Sequence, residues 1–225
     1  MIKAWIKGND EEGSVMRCEE KIMNDLSFSR GVDGNDVVCV FACPGRIEEI
    51  LGAPVQGVTG NNLYRLFEEL WKRNASLREK LCVCKVAIAN ASDTPHYRSK
   101  EGCSSTVPNE EEIKKHSEKL REQIRGMRII ICFGCSAAKA VSALLGDRSE
   151  NLVVIEVCHL GTEGLRYVRK SGDEKLRMEF PTRARIKTVA EYLESRITGE
   201  AKHYVMQEFK DCCFEEQVIK KGKTR

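Results

Sequence analysis

Four apolar, β-branched-rich runs constrain this chain more than any other feature: Val37–Ala42, Val83–Ala89, Arg128–Phe133 and Leu152–Val157. They are near-continuous rather than alternating, as strands covered on both faces are. Helical patterns separate them. Thr59 is placed to cap a helix whose Leu63, Leu66, Phe67, Leu70 and Trp71 follow i, i+3, i+4, i+7, i+8 spacing. Asn109, with Glu112 three residues on, opens a second helix carrying Ile113, Leu120 and Ile124 and ending near Gly126. Ser136–Leu145 and Arg183–Ile197 read as two more. The alternation predicts an α/β fold, three-layer α/β/α, around a central four-stranded parallel sheet. A single domain over 1–198, with its core at about 36–198, accounts for these elements, and 199–225 reads as a C-terminal extension with a basic end. Ligands of such sheets bind at the carboxyl ends of the strands. The places to inspect are therefore Ala42–Arg46, Asn90–Asp93, Phe133–Ser136 and Cys158–Leu165.

Composition narrows the class. The chain has 225 residues, 41% apolar and 32% charged, with a net charge of +3. No apolar run approaches the ~20 residues of a membrane span. Met1–Lys7 lacks the apolar stretch of a signal peptide, so a cytoplasmic, reducing location is expected. These features exclude a membrane protein, a secreted mini-protein and a disordered chain. A charge of +3 permits a nucleic-acid partner without requiring one. Eleven cysteines in such a setting read as buried thiols, because most lie inside apolar runs. Cys132-x-x-Cys135 has no matching second pair, so no metal is expected. A thiol or metal protein built on Cys43, Cys132, Cys135 and Cys158 is the alternative that this count leaves open.

Phe41-Ala42-Cys43-Pro44-Gly45-Arg46 follows the first run directly. Proline and glycine stop the strand and force a tight turn that brings backbone N–H groups to a ligand. Gly52-Ala53-Pro54-Val55-Gln56-Gly57 and Thr59-Gly60 continue into a helix start, a seat suited to a phosphate. Each piece alone is an ordinary strand-to-helix connection.

Their order is informative. The first motif, then Gly52-x-Pro54-x-x-Gly57-x-x-Gly60, a strand ending in Asn90, a strand ending Phe133-Gly134, and Cys158-His159-Leu160-Gly161 together resemble the uracil-DNA glycosylase superfamily. The nearest pattern is its iron–sulfur branch, and the resemblance runs from about Val37 to Leu165. It implies an enzyme that binds single- or double-stranded DNA, flips out uracil or a related damaged base, and hydrolyses its N-glycosidic bond. Asn90 would read the base edge. His159 would be the catalytic group that stabilises the departing base. Phe41, Cys43, Pro44, Gly45 and Val55 would line the base site. Leu165 would be the wedge entering the base stack, and Arg166, Arg169 and Lys170 would contact DNA. Eight basic residues oppose four acidic ones between Gly161 and Lys187, beside that expected DNA face.

The departures from the family pattern are as specific as the matches. Ala42 and Cys43 stand where an acid or amide handles the attacking water. Glu48, Glu49 and Asp93 are acids nearby in sequence that fit no motif. Val55 replaces the aromatic residue that stacks on the base, with Phe41 or Tyr64 as substitutes. Cys18 alone precedes the first motif and His116 stands at a cluster-cysteine position, so no cluster cofactor is expected. A fold that binds nucleic acid or a partner without chemistry is the second reading.

Overall fold

The computed structural model describes residues 28–100, 106–145, 152–166 and 182–198. Five strands form one sheet: β1 (Phe28–Ser29), β2 (Val37–Phe41), β3 (Ala87–Asn90), β4 (Ile129–Phe133) and β5 (Val153–Val157). Their order is β1-β3-β2-β4-β5. All neighbours are parallel except β1, which runs antiparallel to β3. The expected four-stranded parallel sheet is thus a five-stranded mixed one. Two residues give β1 no periodicity to read, and it forms by pairing Phe28 with Ala89 and Ser29 with Ile88 at the sheet edge.

The second predicted strand also shifts. The N–H groups of Lys85 and Val86 both reach the Cys82 carbonyl, at 2.8 and 2.9 Å, so Cys82–Lys85 is a turn. Pairing begins at Ala87 and carries through Asn90, one residue beyond the apolar run.

Six α-helices lie among the described residues. They are α1 (Arg46–Leu51), α2 (Gly57–Arg73), α3 (Glu110–Gln123), α4 (Cys135–Leu145), α5 (Thr162–Arg166) and α6 (Thr182–Ile197). The capping box of α3 is present: Asn109 Oδ1 accepts from the Glu112 N–H at 2.9 Å, and the Glu112 carboxylate accepts from the Asn109 N–H at 2.8 Å. Helix α2 begins two residues before Thr59, with Gln56 as its N-cap. No helix among the described residues is long and apolar enough to cross a membrane.

Successive strand residues face opposite sides, and each side has its own helices. Phe41, Ile88, Ile131, Phe133 and Val157 pack with Leu63, Leu66, Phe67 and Leu70 of α2 and Ile186 and Leu193 of α6. Val40, Ala87, Ala89, Ile130 and Cys132 pack with Leu120 of α3 and Ala137, Ala138 and Val141 of α4. Full burial of each large side chain contributes roughly 1.5–3 kcal/mol. Phe41 is opposite Asn90, and Phe133 opposite Val157. The carboxyl ends of the parallel strands therefore finish level. Asn90, two residues after Ile88, lies on the α2/α6 side of that rim.

Candidate functional site

The rim gathers what the sequence separates. The Phe41 ring stacks on Phe133 with centroids 4.5 Å apart and an interplanar angle of 9°. Its edge meets His159, at 6.3 Å and 88°. Asn90 is the direct cross-strand partner of Phe41 on β3. Asn90 and His159 thus flank one aromatic residue, although 69 positions separate them in the chain. Asn90 is 1% exposed, and its Nδ2 is buried without a hydrogen-bond partner. Such a group costs roughly 1–3 kcal/mol in the free protein, which a ligand acceptor would recover.

His159 is half-buried, and its tautomer is fixed by a neighbour: Nδ1 accepts from the Gly161 N–H at 3.0 Å. The proton of the neutral ring therefore sits on Nε2. Enclosure by protein lowers the His159 pKa below its ordinary 6.5, because desolvation disfavours the imidazolium. Both polar groups consequently offer N–H donors.

Glycines make room for this imidazole. A Cβ on Gly161 would stand 2.8 Å from Nδ1, and one on Gly134 would stand 3.5 Å from His159 Cβ. A Cβ on Gly164 would collide with the His159 carbonyl. Asn62 of α2, buried, donates from Nδ2 to the Leu160 carbonyl at 2.7 Å and pins the same loop. Sequence reasoning missed Asn62 and Gly164. The usable signal for Asn62 was a polar residue beside the apolar stripe of α2.

On the opposite wall, the chain after Asn90 continues alongside the first motif. Ala91 and Ser92 N–H groups donate to the Phe41 and Ala42 carbonyls at 2.8 and 3.1 Å, and the His96 N–H donates to Pro44 at 2.9 Å. Pro44 is buried, while Cys43 and Gly45 are half-buried. The Cys43 thiol lies 3.9 Å from the Thr106 carbonyl. Val55 is buried and left-handed at φ 52°, a strained conformation for a β-branched residue.

Several expectations need correction. Leu165 does not project as a wedge: it is 1% exposed, held in α5 by its N–H to the Gly161 carbonyl at 3.0 Å, and packed in the core. Phe41 is a buried wall with one face already covered by Phe133, not an open platform. Tyr64 is exposed on α2, and its ring meets Trp71 edge-on with centroids 6.3 Å apart. The phosphate seat at the start of α2 is filled from within. Glu48 accepts from the Gln56 N–H at 2.7 Å and from the Gly45 N–H at 3.1 Å. Arg166 ends α5, and Arg169, Lys170 and the extension 199–225 lie outside the described residues.

The other nearby acids are engaged as well. Glu49 accepts from Lys100 Nζ at 2.7 Å and Tyr97 Oη at 2.6 Å, bonds that hold its carboxyl below the usual range. Asp93 pairs with His116 of α3 at 3.5 Å, and Glu112 with His96 at 3.0 Å. Buried Ala42 leaves no carboxylate at the first-motif position. Cys39 and Cys132 are core thiols whose pKa burial drives far up, and the described residues contain no group of three or more potential ligands. Cys18 lies outside the described residues.

No curated protein matches the chain. A family model does: the model of the uracil DNA glycosylase superfamily matches residues 28–197. That match runs from β1 to the end of α6 and takes in both walls of the site, and the chain belongs to the uracil DNA glycosylase superfamily.

Proposed function

We propose that the protein is a divergent DNA glycosylase that takes a deaminated base out of the stack and hydrolyses its N-glycosidic bond. The observation that carries this reading is the pair of donors beside Phe41: the unpartnered Nδ2 of Asn90 and the Nε2–H of a neutral His159. The Asn90 amide can donate from Nδ2 and accept at Oδ1. Deamination puts a carbonyl oxygen where the parent base carries an amino group and an N–H beside it, so a uracil-like edge matches both amide atoms, while the amino group of cytosine would meet the Nδ2 donor. As the C1′–N bond breaks, its electron pair moves onto the base and the charge gathers on a carbonyl oxygen. The His159 Nε2–H is a donor for that oxygen, while water adds to the sugar carbon and the proton it sheds passes through solvent to the departing base.

The reaction does without an acid at Ala42. Loss of one acid–base partner costs about 10²–10⁴-fold, so a slow enzyme is expected. The test is incubation with uracil-containing single- and double-stranded DNA followed by alkali. Strand cleavage that falls about 10²-fold in His159→Ala and in Asn90→Ala supports the reading. No cleavage above the His159→Ala control at large enzyme excess rejects it.

Ala42, without a polar atom, favours a second reading: a member that keeps the base site and binds DNA without turnover. Salt-dependent binding of uracil-containing DNA with no abasic product would identify it.

A further inference from the structure

Base extrusion needs a side chain that takes the place of the departing base, and Leu165 is buried. The described surface offers a different candidate. Six large apolar residues are exposed: Val32, Ile47, Ile50, Leu51, Val58 and Tyr64. Four of them belong to α1 and the start of α2, beside the site. Helix α1 leaves the first-motif turn at Gly45 and buries none of its residues. Ile47 lies over Gly57, 3.4 Å from where a Cβ would stand. Two residues further on, the Thr59 hydroxyl is 3.9 Å from the corresponding position on Gly161, next to His159. The cluster therefore approaches the base site at its Ile47 end, and Ile50 is 67% and Leu51 50% exposed.

Charge argues for what covers it. Helix α1 reads Arg46-Ile47-Glu48-Glu49-Ile50-Leu51, and both carboxylates are tied down. Glu48 is turned onto the Gly45 and Gln56 N–H groups, and Glu49 is neutralised by Lys100 and Tyr97. What α1 offers to solvent is an exposed arginine and three aliphatic side chains, with the exposed Glu49 carboxylate held by Lys100 and Tyr97. That combination suits a strand that brings a phosphate and an apolar base face together.

We propose that Ile47, Ile50 and Leu51, with Val58 beside them, are the surface against which the DNA bases flanking the extruded nucleotide unstack, and that Arg46 holds the adjoining phosphate. This assignment rests on the glycosylase reading for the identity of the partner. The four side chains supply no hydrogen bonds, so the contact is indifferent to the flanking sequence.

The test uses the full chain and a uracil oligonucleotide with 2-aminopurine beside the uracil. Wild-type protein should raise 2-aminopurine fluorescence severalfold, because unstacking relieves its quenching. The Ile50→Ser/Leu51→Ser double variant should lose that rise and bind about tenfold more weakly, with an unchanged slope of log Kd against log salt. Arg46→Ala should keep the rise and lower the slope by about one phosphate contact. Thermal unfolding of all variants should match wild type, because these side chains are exposed. An unchanged rise and affinity in the double variant overturns the proposal, as does a wild-type protein that gives no rise. Failure of the glycosylase reading looks different: the α1 variants lose the fluorescence signal, yet no protein yields abasic product.

Discussion

The two faces of the sheet are built to different rules. On the α2/α6 side, phenylalanines and leucines fill a deep layer: Phe41, Phe67, Phe133, Leu63, Leu66 and Leu70. On the α3/α4 side β3 offers Ala87 and Ala89, with Ala91 just beyond it, and α4 answers with Ala137, Ala138 and Ala140. By side-chain size the α2/α6 side is the thick one and the α3/α4 side the thin one, and Asn90 and His159 stand at the strand ends beside Phe41 of the thick side.

The sharpest way to break that contrast is to crowd the thick side at its rim. Gly164→Ala sets a methyl against the His159 carbonyl and must move the loop, so turnover should fall as far as in His159→Ala, about 10²-fold or more. Alkali-cleavage assays read this directly, and a Gly164→Ala protein of normal rate would mean that the loop holding His159 need not be fixed in this place. Phe133→Ala comes next. It removes a fully buried ring stacked on Phe41 and should cost about 3–5 kcal/mol in denaturant unfolding. Ala138→Leu tests the thin side in the opposite sense: with no space to accept the larger group, it should cost about 1–3 kcal/mol and leave the slow turnover largely intact.

A smaller effect concerns pH. The native His159 pKa lies below its ordinary 6.5, so on acidification the unfolded chain takes up a proton before the native one. The stability tied to the neutral ring is complete above about 6.5 and is lost as pH falls through the native pKa. Melting temperatures from pH 8 to 5 should drop more steeply for wild type than for His159→Gln, and parallel curves would contradict a buried neutral ring. Smallest of all is Arg73→Ala. It breaks the bonds from α2 to Glu191 and Glu194 of α6 at the surface of the thick side, for about 0.2–1 kcal/mol.

Most of this architecture is legible in the chain because continuous β-branched runs have one reading when helices alternate with them. Asn90 and His159 were singled out by the family resemblance, and their places at strand ends put both at the rim, where the ends of a parallel sheet converge. The failures were through-space effects. Leu165 looks like a loop residue until α5 forms and turns it inward. Glu48 fits no motif because its partners, Gly45 and Gln56, are backbone N–H groups brought together by the α1 turn. Val83 sits in an apolar run, yet the paired hydrogen bonds to the Cys82 carbonyl make a turn there. Helix α1 lacks a buried face, so no periodicity announces it.

The glycines around His159 have an evolutionary consequence. Gly161 and Gly164 leave no room for a side chain against His159, and Gly134 is left-handed at φ 96°, so all three positions tolerate little exchange. Variation in this site is left to the other wall, where Val55, Cys43 and Asn90 carry side chains to exchange.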